Sequence, residues 1–244
     1  MRKTRLYHPE PLPDQGEITL TDQAARHAAT VLRARAGDSV ELFDGQRAMA
    51  GEITMANKRE VRVRLSDPAE SPAPSPLRSV LVQGVARGEK MDWLMQKATE
   101  LGISAIQPVI MQRTQQRMDA EKRDKRRQRW QQQVISACEQ CHRIDVPEVA
   151  EPLSLELWLQ SLPEQPWLIY GDPAGGQSIG QLPAPGQQTA YIVVGPEGGF
   201  APEERQLLAK HQAHAVTLGP RVLRTETAGM TMLTVMQYLW GDLG

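Results

Sequence analysis

The chain has 244 residues, 40% apolar and 23% charged, the composition of folded soluble domains rather than of disordered chain. Its 28 basic and 29 acidic residues sum to −1, which by itself predicts no polyanionic partner, and two cysteines exclude a disulfide scaffold. No stretch approaches the roughly 20 apolar residues that span a bilayer, and the basic start MRKTRLYHPEPL is not followed by the apolar run of a signal peptide, so a cytoplasmic protein with no membrane contact is expected.

In chain order, the first block reads as short strands around one helix. The helical stretch is TDQAARHAATVLR, residues 21–33, with a cap at Thr21 or Asp22. GDSVELFDG, residues 37–45, alternates Val40 and Leu42 with polar neighbours and ends in an Asp-Gly turn. Residues 48–67 repeat the pattern around a turn at Asn57-Lys58. Several strands and one short helix predict a small β-barrel-like module over residues 1–70. Ser66–Pro76, SDPAESPAPSP, carries four prolines in eleven residues. Such a segment neither pairs as a central strand nor continues a helix, and it is read as an interdomain linker, with residues 71–76 at its centre.

After the linker the rhythm becomes strand–helix alternation. SVLVQGVA (79–86) precedes a helix in which Met91, Leu94, Met95, Ala98 and Leu101 share one face before a glycine stop. AIQPVI, a charged helix DKRRQRWQQQVISACEQ, WLIYG, YIVVG, a helix PEERQLLAKHQ, AVTLG and a final helix TETAGMTMLTVMQYLW follow. Uninterrupted apolar strands alternating with helices predict an α/β domain over residues 77–244 whose parallel sheet is covered on both faces. The final helix places Ala228, Met232, Val235, Met236 and Leu239 on one stripe, broadened by Met230, Leu233 and Trp240, which fits burial on more than one side.

Charge by block is more informative than the sum. Residues 77–147 carry 13 basic and 8 acidic residues, and residues 148–244 carry 4 and 10. The basic cluster is densest in EKRDKRRQRW, residues 121–130. It reads either as a solvated helix face or as a phosphate-contacting surface.

Three loops follow the C-terminal ends of predicted parallel strands: GDPAGG (171–176), GPEGGF (195–200) and LGPRVLRTET (218–227). Ligands of open α/β sheets bind at such ends, and glycines let backbone approach a ligand closely. Neither a P-loop nor a dinucleotide fingerprint is present, so the loops suit a nucleoside without phosphates, held by backbone groups and apolar walls. Cys138 and Cys141 with His142 match a haem-attachment string, but the string ends a predicted helix and no further cysteine completes a zinc site. The two are read as reduced structural cysteines, and no metal is expected.

GPEGGF (195–200) and LGPRVLRTETA (218–228), preceded by KATELG (97–102) and ACEQCHR (137–143), closely resemble the bacterial 16S ribosomal RNA uridine N3-methyltransferases of the SPOUT superfamily. The resemblance covers essentially the whole chain, including a PUA-like RNA-binding domain before the linker. One departure is His142, where the family more often has a small residue such as glycine. The resemblance implies a deep trefoil knot in the C-terminal domain, a homodimer, and S-adenosylmethionine as methyl donor to N3 of a specific uridine of the decoding region. The implied partner is 16S ribosomal RNA within the 30S subunit, lying across both domains. The implied cofactor contacts are Tyr170, Gly171, Val194, Gly195, Glu197, Gly198, Gly199, Leu218, Gly219, Leu223, Arg224 and Thr227. Uracil N3 becomes nucleophilic only on losing its proton, so a carboxylate or an anion-stabilising environment is required. Glu197 and Glu226 are the candidate acids, and Arg221 and Arg224 the candidates for stabilising uracilate oxygens or the target phosphate. Glu226 at a helix start also complements the helix dipole, and Arg224 can pair with it. Arg2, Arg5, Tyr7, His8, Lys90, Arg113, Arg123, Arg126, Arg127 and Arg143 are the candidate RNA contacts, with a core role for Tyr7 equally open. A non-catalytic RNA-binding assembly factor with a vestigial pocket is the rival reading.

Overall fold

The computed structural model describes residues 4–31, 33–115 and 119–244, which group into two compact units: residues 1–74 with 138–146, and residues 75–137 with 147–244. In the first unit the strands are β1 (Thr4–Tyr7), β2 (Gly16–Thr21), β3 (Ser39–Phe43), β4 (Ala48–Ala56) and β5 (Glu60–Pro68), and the helix α1 (Asp22–Arg26) follows β2. They form one sheet in the order β1-β3-β4-β5-β2, with β1 parallel to β3 and the other pairs antiparallel. Alternation buries Leu6, Leu20, Val40, Leu42, Ile53, Val61 and Val63 on the helix-covered side. Both expected turns are built by side chains that stand in for backbone acceptors. Asp44 takes the N–H groups of Gln46 and Arg47, and Asn57 those of Arg59 and Glu60.

Two expectations for this unit need correction. The 21–33 stretch is not one α-helix: after Arg26 it opens into a π-helical turn, His27–Val31, where the Thr30 hydroxyl donates to the Arg26 carbonyl. A threonine bonding back four residues loosens the helical ladder. The side chains of Thr21 and Asp22, read as caps, lie outside the described ones. The proline-rich stretch also contributes to the sheet, because β5 continues to Pro68 opposite Met49 past a register shift, and Ala69 donates to the Ala48 carbonyl. Pro68 is tolerated as the last strand residue, where its missing N–H breaks no interior ladder.

Arg5, expected at an RNA surface, is instead an interior residue, 3% exposed. Its Nε donates to Glu41 at 2.6 Å, and its Nη1 to the carbonyls of Cys138 (3.0 Å) and Arg143 (3.3 Å). The guanidinium also lies 4.6 Å from the centre of the Phe43 ring. Both faces of β1 are covered, since Arg5 and its neighbour Leu6 point to opposite sides and are both buried, and a guanidinium with four partners can be buried where a lysine ammonium could not.

The second unit is a doubly covered parallel sheet. Its elements in order are β6 (Ser79–Gly84), α2 (Lys90–Glu100), β7 (Ala105–Ile110), α3 (Ala120–Cys141, whose last four residues belong to the first unit), β8 (Glu148–Val149), β9 (Leu153–Ser154), α4 (Leu155–Gln160), β10 (Trp167–Gly171), β11 (Ala190–Val194), α5 (Pro202–Lys210), β12 (His214–Val216) and α6 (Thr225–Trp240). The sheet order is β12-β10-β11-β6-β7-β8, with β9 also on β7, and every pair is parallel. From β6 the chain first builds outward through β7 and β8, then crosses to build the other half. The β6/β11 boundary is therefore a topological switch point.

The final helix buries Met230, Met232, Leu233 and Met236 of the expected stripe, but the stripe's last member, Leu239, is exposed and Gly229 and Gln237 are buried beside it. Leu239 and Tyr238 are 40% and 65% exposed. The reason is polar: Gln237, fully buried, accepts from the Ser75 hydroxyl at 2.7 Å and donates to the Gly102 carbonyl at 3.1 Å. Satisfying that amide against the segment before β6 and the end of α2 sets the rotation of the helix.

Candidate active site

The first and third glycine loops, at the C-terminal ends of β10 and β12, form an open cleft lined by Gly171, Asp172, Pro173, Val216, Thr217, Leu218, Gly219, Arg221, Leu223 and Ala228. Gly219 sits at φ +93, a conformation L-residues avoid. The first loop is held by Asp172, whose backbone N–H donates to the Val216 carbonyl and whose carboxylate accepts from the Ala174 N–H at 3.0 Å and lies 3.2 Å from the Arg205 guanidinium. Burial and the Asp172 charge push the Tyr170 hydroxyl above its usual range, with Arg205 opposing. The walls are largely apolar, and the charged side chains among the lining residues are Arg221 and Asp172, the latter buried and paired with Arg205. That set fits the adenosine and sulfonium of S-adenosylmethionine.

Of the expected cofactor residues, Gly171, Leu218, Gly219 and Leu223 line the cleft, together with Arg221. The others have structural surroundings. Tyr170 is buried edge-on to Phe200, and Val194 lies against Gly229. The Gly195 carbonyl accepts from the Thr225 hydroxyl at 2.6 Å, which in turn accepts from Gln83 at 2.9 Å. Thr227 is exposed, its carbonyl accepting from Thr231, and Arg224 is exposed at the N-cap of α6. The second loop is a tight turn, Gly199 N–H to Pro196 carbonyl at 2.8 Å with Gly199 at φ +68. A side chain at Gly198 would meet Arg113 Cβ at 2.8 Å, and Arg113 donates to the Gly198 carbonyl. Asp172, Pro173, Val216, Thr217 and Ala228 were not among the expected contacts, although Asp172, Pro173 and Ala228 lie inside the recognised motifs and Val216 and Thr217 just before one.

The second loop and the start of α6 meet over the β6/β11 switch point. Lys90 Nζ stands 3.1 Å from Glu197 and 3.4 Å from Glu226, so Lys90, expected on RNA, joins the two expected acids. Glu197 also accepts the Arg87 N–H at 3.0 Å. Burial pushes its carboxyl up, but the Arg87 and Glu197 backbone N–H groups and Lys90 outweigh this and hold it below the usual range.

The other RNA candidates divide. Arg2 lies outside the described residues. Tyr7 is half-buried, tilted against Phe43 at 5.5 Å, and His8 donates its backbone N–H to the Phe43 carbonyl. Arg143 is mostly buried, ion-paired with Asp145. On α3 the basic run is interleaved with acids: Lys122 pairs with Asp119, Lys125 with Glu121, Arg127 with Asp124, and Arg129 with Asp92. Arg123 and Arg126 are partly exposed on the same helix. Burial pushes the Cys138 thiol up to about 12, against the pull of Arg143, as a structural cysteine requires. His142 follows α3 at φ +68, the left-handed position after a helix that favours glycine. Among the described residues no cluster of His, Cys, Asp or Glu is placed to hold a metal, and no helix is long and apolar enough to cross a membrane.

Residues 73–237 match the family described as RNA methyltransferase domain, and residues 20–66 that described as RNA methyltransferase PUA domain. Ribosomal RNA small subunit methyltransferase E of Mycobacterium bovis is 33% identical over 93% of this chain and 89% of its own. The crystal structure of ribosomal RNA small subunit methyltransferase E from Neisseria gonorrhoeae bound to S-adenosyl methionine superposes with TM-score 0.94, 36% identity and full coverage of both chains. A Legionella pneumophila methyltransferase in complex with the same cofactor gives the same three values. With its fold, its loops and its whole length accounted for in this way, the chain belongs to the RNA methyltransferase family that includes the ribosomal RNA small subunit methyltransferases E.

Proposed function

We propose that this protein methylates N3 of a specific uridine in 16S ribosomal RNA, using S-adenosylmethionine, in the cytoplasm and on the 30S subunit. The observation that carries this is the largely apolar cleft at the strand ends, lined by the first glycine loop and by the third, which carries one of the family motifs. When bound there, S-adenosylmethionine supplies an electrophilic methyl group. Gly171, Leu218, Gly219 and Leu223 bring backbone and apolar surface to the nucleoside, and Asp172 offers negative charge near a cationic ligand. Arg221 and Arg224 reach solvent beside the cleft, where an RNA phosphate or an uracilate oxygen would be met. Glu197 and Glu226 supply the carboxylates that N3 deprotonation requires. Residues 1–70, with their PUA-like sheet, serve RNA binding, and residues 77–244 the chemistry. The exposed Tyr238, Leu239 and Leu243 at the chain end support a homodimer contact, and the sheet order with α6 returning onto β10 and β11 supports the knotted arrangement.

Isothermal titration with S-adenosylmethionine, then mass spectrometry of unmodified 16S RNA and 30S particles incubated with protein and donor, tests the proposal. One added methyl on a uridine, resistant at the Watson–Crick edge, is the expected result. Donor binding without transfer to either substrate would favour the assembly-factor reading, and no donor binding would refute both the cleft and the reaction.

A further inference from the structure

The Lys90–Glu197–Glu226 cluster divides the work between its two carboxylates. Both were candidates for removing the N3 proton, but their surroundings differ. Glu197 Oε1 is committed twice, to the Arg87 N–H at 3.0 Å and to Lys90 at 3.1 Å. These contacts tie the second loop to the segment after β6. Glu226 is different: its Oε2 is buried and accepts no hydrogen bond, with Lys90 Nζ standing 3.4 Å away. A desolvated carboxylate oxygen that lacks a donor is costly unless something binds there, and a base N–H is a donor of the right kind.

The location agrees. Lys90 follows β6 and Glu197 follows β11, so the cluster stands over the switch point of the sheet, where ligands of open α/β folds bind. The donor cleft stands over β10 and β12, about two strand spacings away, or about 10 Å. Between them lies the first turn of α6. Ala228 faces the cleft and Glu226, two residues earlier, projects to the opposite side of the helix. A pyrimidine over this turn is spanned by the two sites.

We propose that Glu226 is the proton acceptor for the target base, that Lys90 positions Glu226, and that Glu197 anchors the second loop without taking a proton. In the step, the N3–H bond breaks and an O–H bond forms on Glu226. The electron pair stays on N3, which becomes the nucleophile, and the proton passes to water after turnover. The inference rests on the uridine reading above.

Single-turnover methyl transfer by Glu226→Gln, Glu197→Gln, Lys90→Met and Lys90→Arg tests it, alongside donor affinity by titration calorimetry and RNA affinity by filter binding. Glu226→Gln is expected to lose at least about 100-fold in rate while both affinities stay within about threefold. Its residual rate should climb about tenfold per pH unit from pH 7 to 9, as hydroxide takes over the proton. Lys90→Met should lose rate at unchanged RNA affinity, and Lys90→Arg should recover most of it. Glu197→Gln should weaken RNA or donor binding more than it slows the bound complex. A Glu226→Gln enzyme of near wild-type rate, or a Lys90→Met enzyme whose whole defect is in RNA affinity, overturns the assignment. If the wild-type protein itself binds donor but modifies no uridine, it is the functional reading that fails.

Discussion

Replacing Glu139 by glutamine should stabilise the first unit above neutral pH and change little below pH 4.5. Glu139 accepts the Tyr7 N–H at 3.2 Å, and its other oxygen lies 3.7 Å from His27 Nε2. Burial nevertheless pushes its carboxyl up to about 7, against the Tyr7 N–H and the Arg5 charge. A carboxyl raised from the usual 4.5 to about 7 binds its proton more tightly folded than unfolded. Its contribution is therefore fully present below pH 4.5 and lost as pH rises through 7. The full span corresponds to about 3 kcal/mol, and with a side chain still 15% exposed about 2 kcal/mol is the expected loss. His27, lowered by burial, contributes the opposite slope: its stability is lost as pH falls below 6.5. Glutamine keeps an acceptor for Tyr7 and has nothing to ionise. All five tryptophans lie in the second unit, so amide hydrogen exchange in β3, β4 and β5 from pH 5 to 8 is the suitable assay. Identical pH slopes in wild type and Glu139→Gln would refute the reasoning.

His142→Gly should raise stability by about 0.5–1 kcal/mol, since relief of a left-handed φ outweighs the added chain entropy; His142→Ala should give no gain, and urea melts followed by circular dichroism compare the three. Gly219→Ala, placing a Cβ at φ +93, should weaken S-adenosylmethionine binding by about tenfold in calorimetry without lowering RNA affinity. Reversing Arg123, Arg126 and Arg127 to glutamate should weaken RNA binding and flatten its salt dependence, with donor affinity nearly intact; equal loss of donor binding would mark α3 as structural. Arg5→Met should destabilise the first unit by about 3 kcal/mol because Glu41 is left buried without its partner, and an unchanged melt would contradict its interior role.

The elements legible in the sequence were those whose period or punctuation has a local cause. The alternation around Val40 and Leu42, the Asp44 and Asn57 turns, and the continuous apolar runs of β6, β10 and β11 each act within a few residues of themselves. What escaped depends on distant partners. The strands β8 and β9, two residues each, exist because β7 offers them an edge. The return of residues 138–146 to the first unit depends on carbonyls reaching Arg5, more than 130 residues away in sequence. Nothing near Cys138 announces that contact.

The site shows the same division at finer grain. The glycines of the three loops were visible because their backbone requirement is their own: Gly199 and Gly219 both adopt positive φ. Charged residues were misassigned wherever their role was set by a neighbour. Arg5 and Arg143 looked like RNA contacts because they are cations near basic or aromatic residues, yet Glu41 and Asp145 claim them. Lys90 stands between Glu197 and Glu226, a pairing that its sequence surroundings do not announce. A sequence gives the sign of a charge but not its counter-charge, and in a folded chain the counter-charge decides whether a cation faces solvent, holds a loop or tunes a carboxylate. Pairing is thus the property to establish before any basic residue of this family is assigned to RNA.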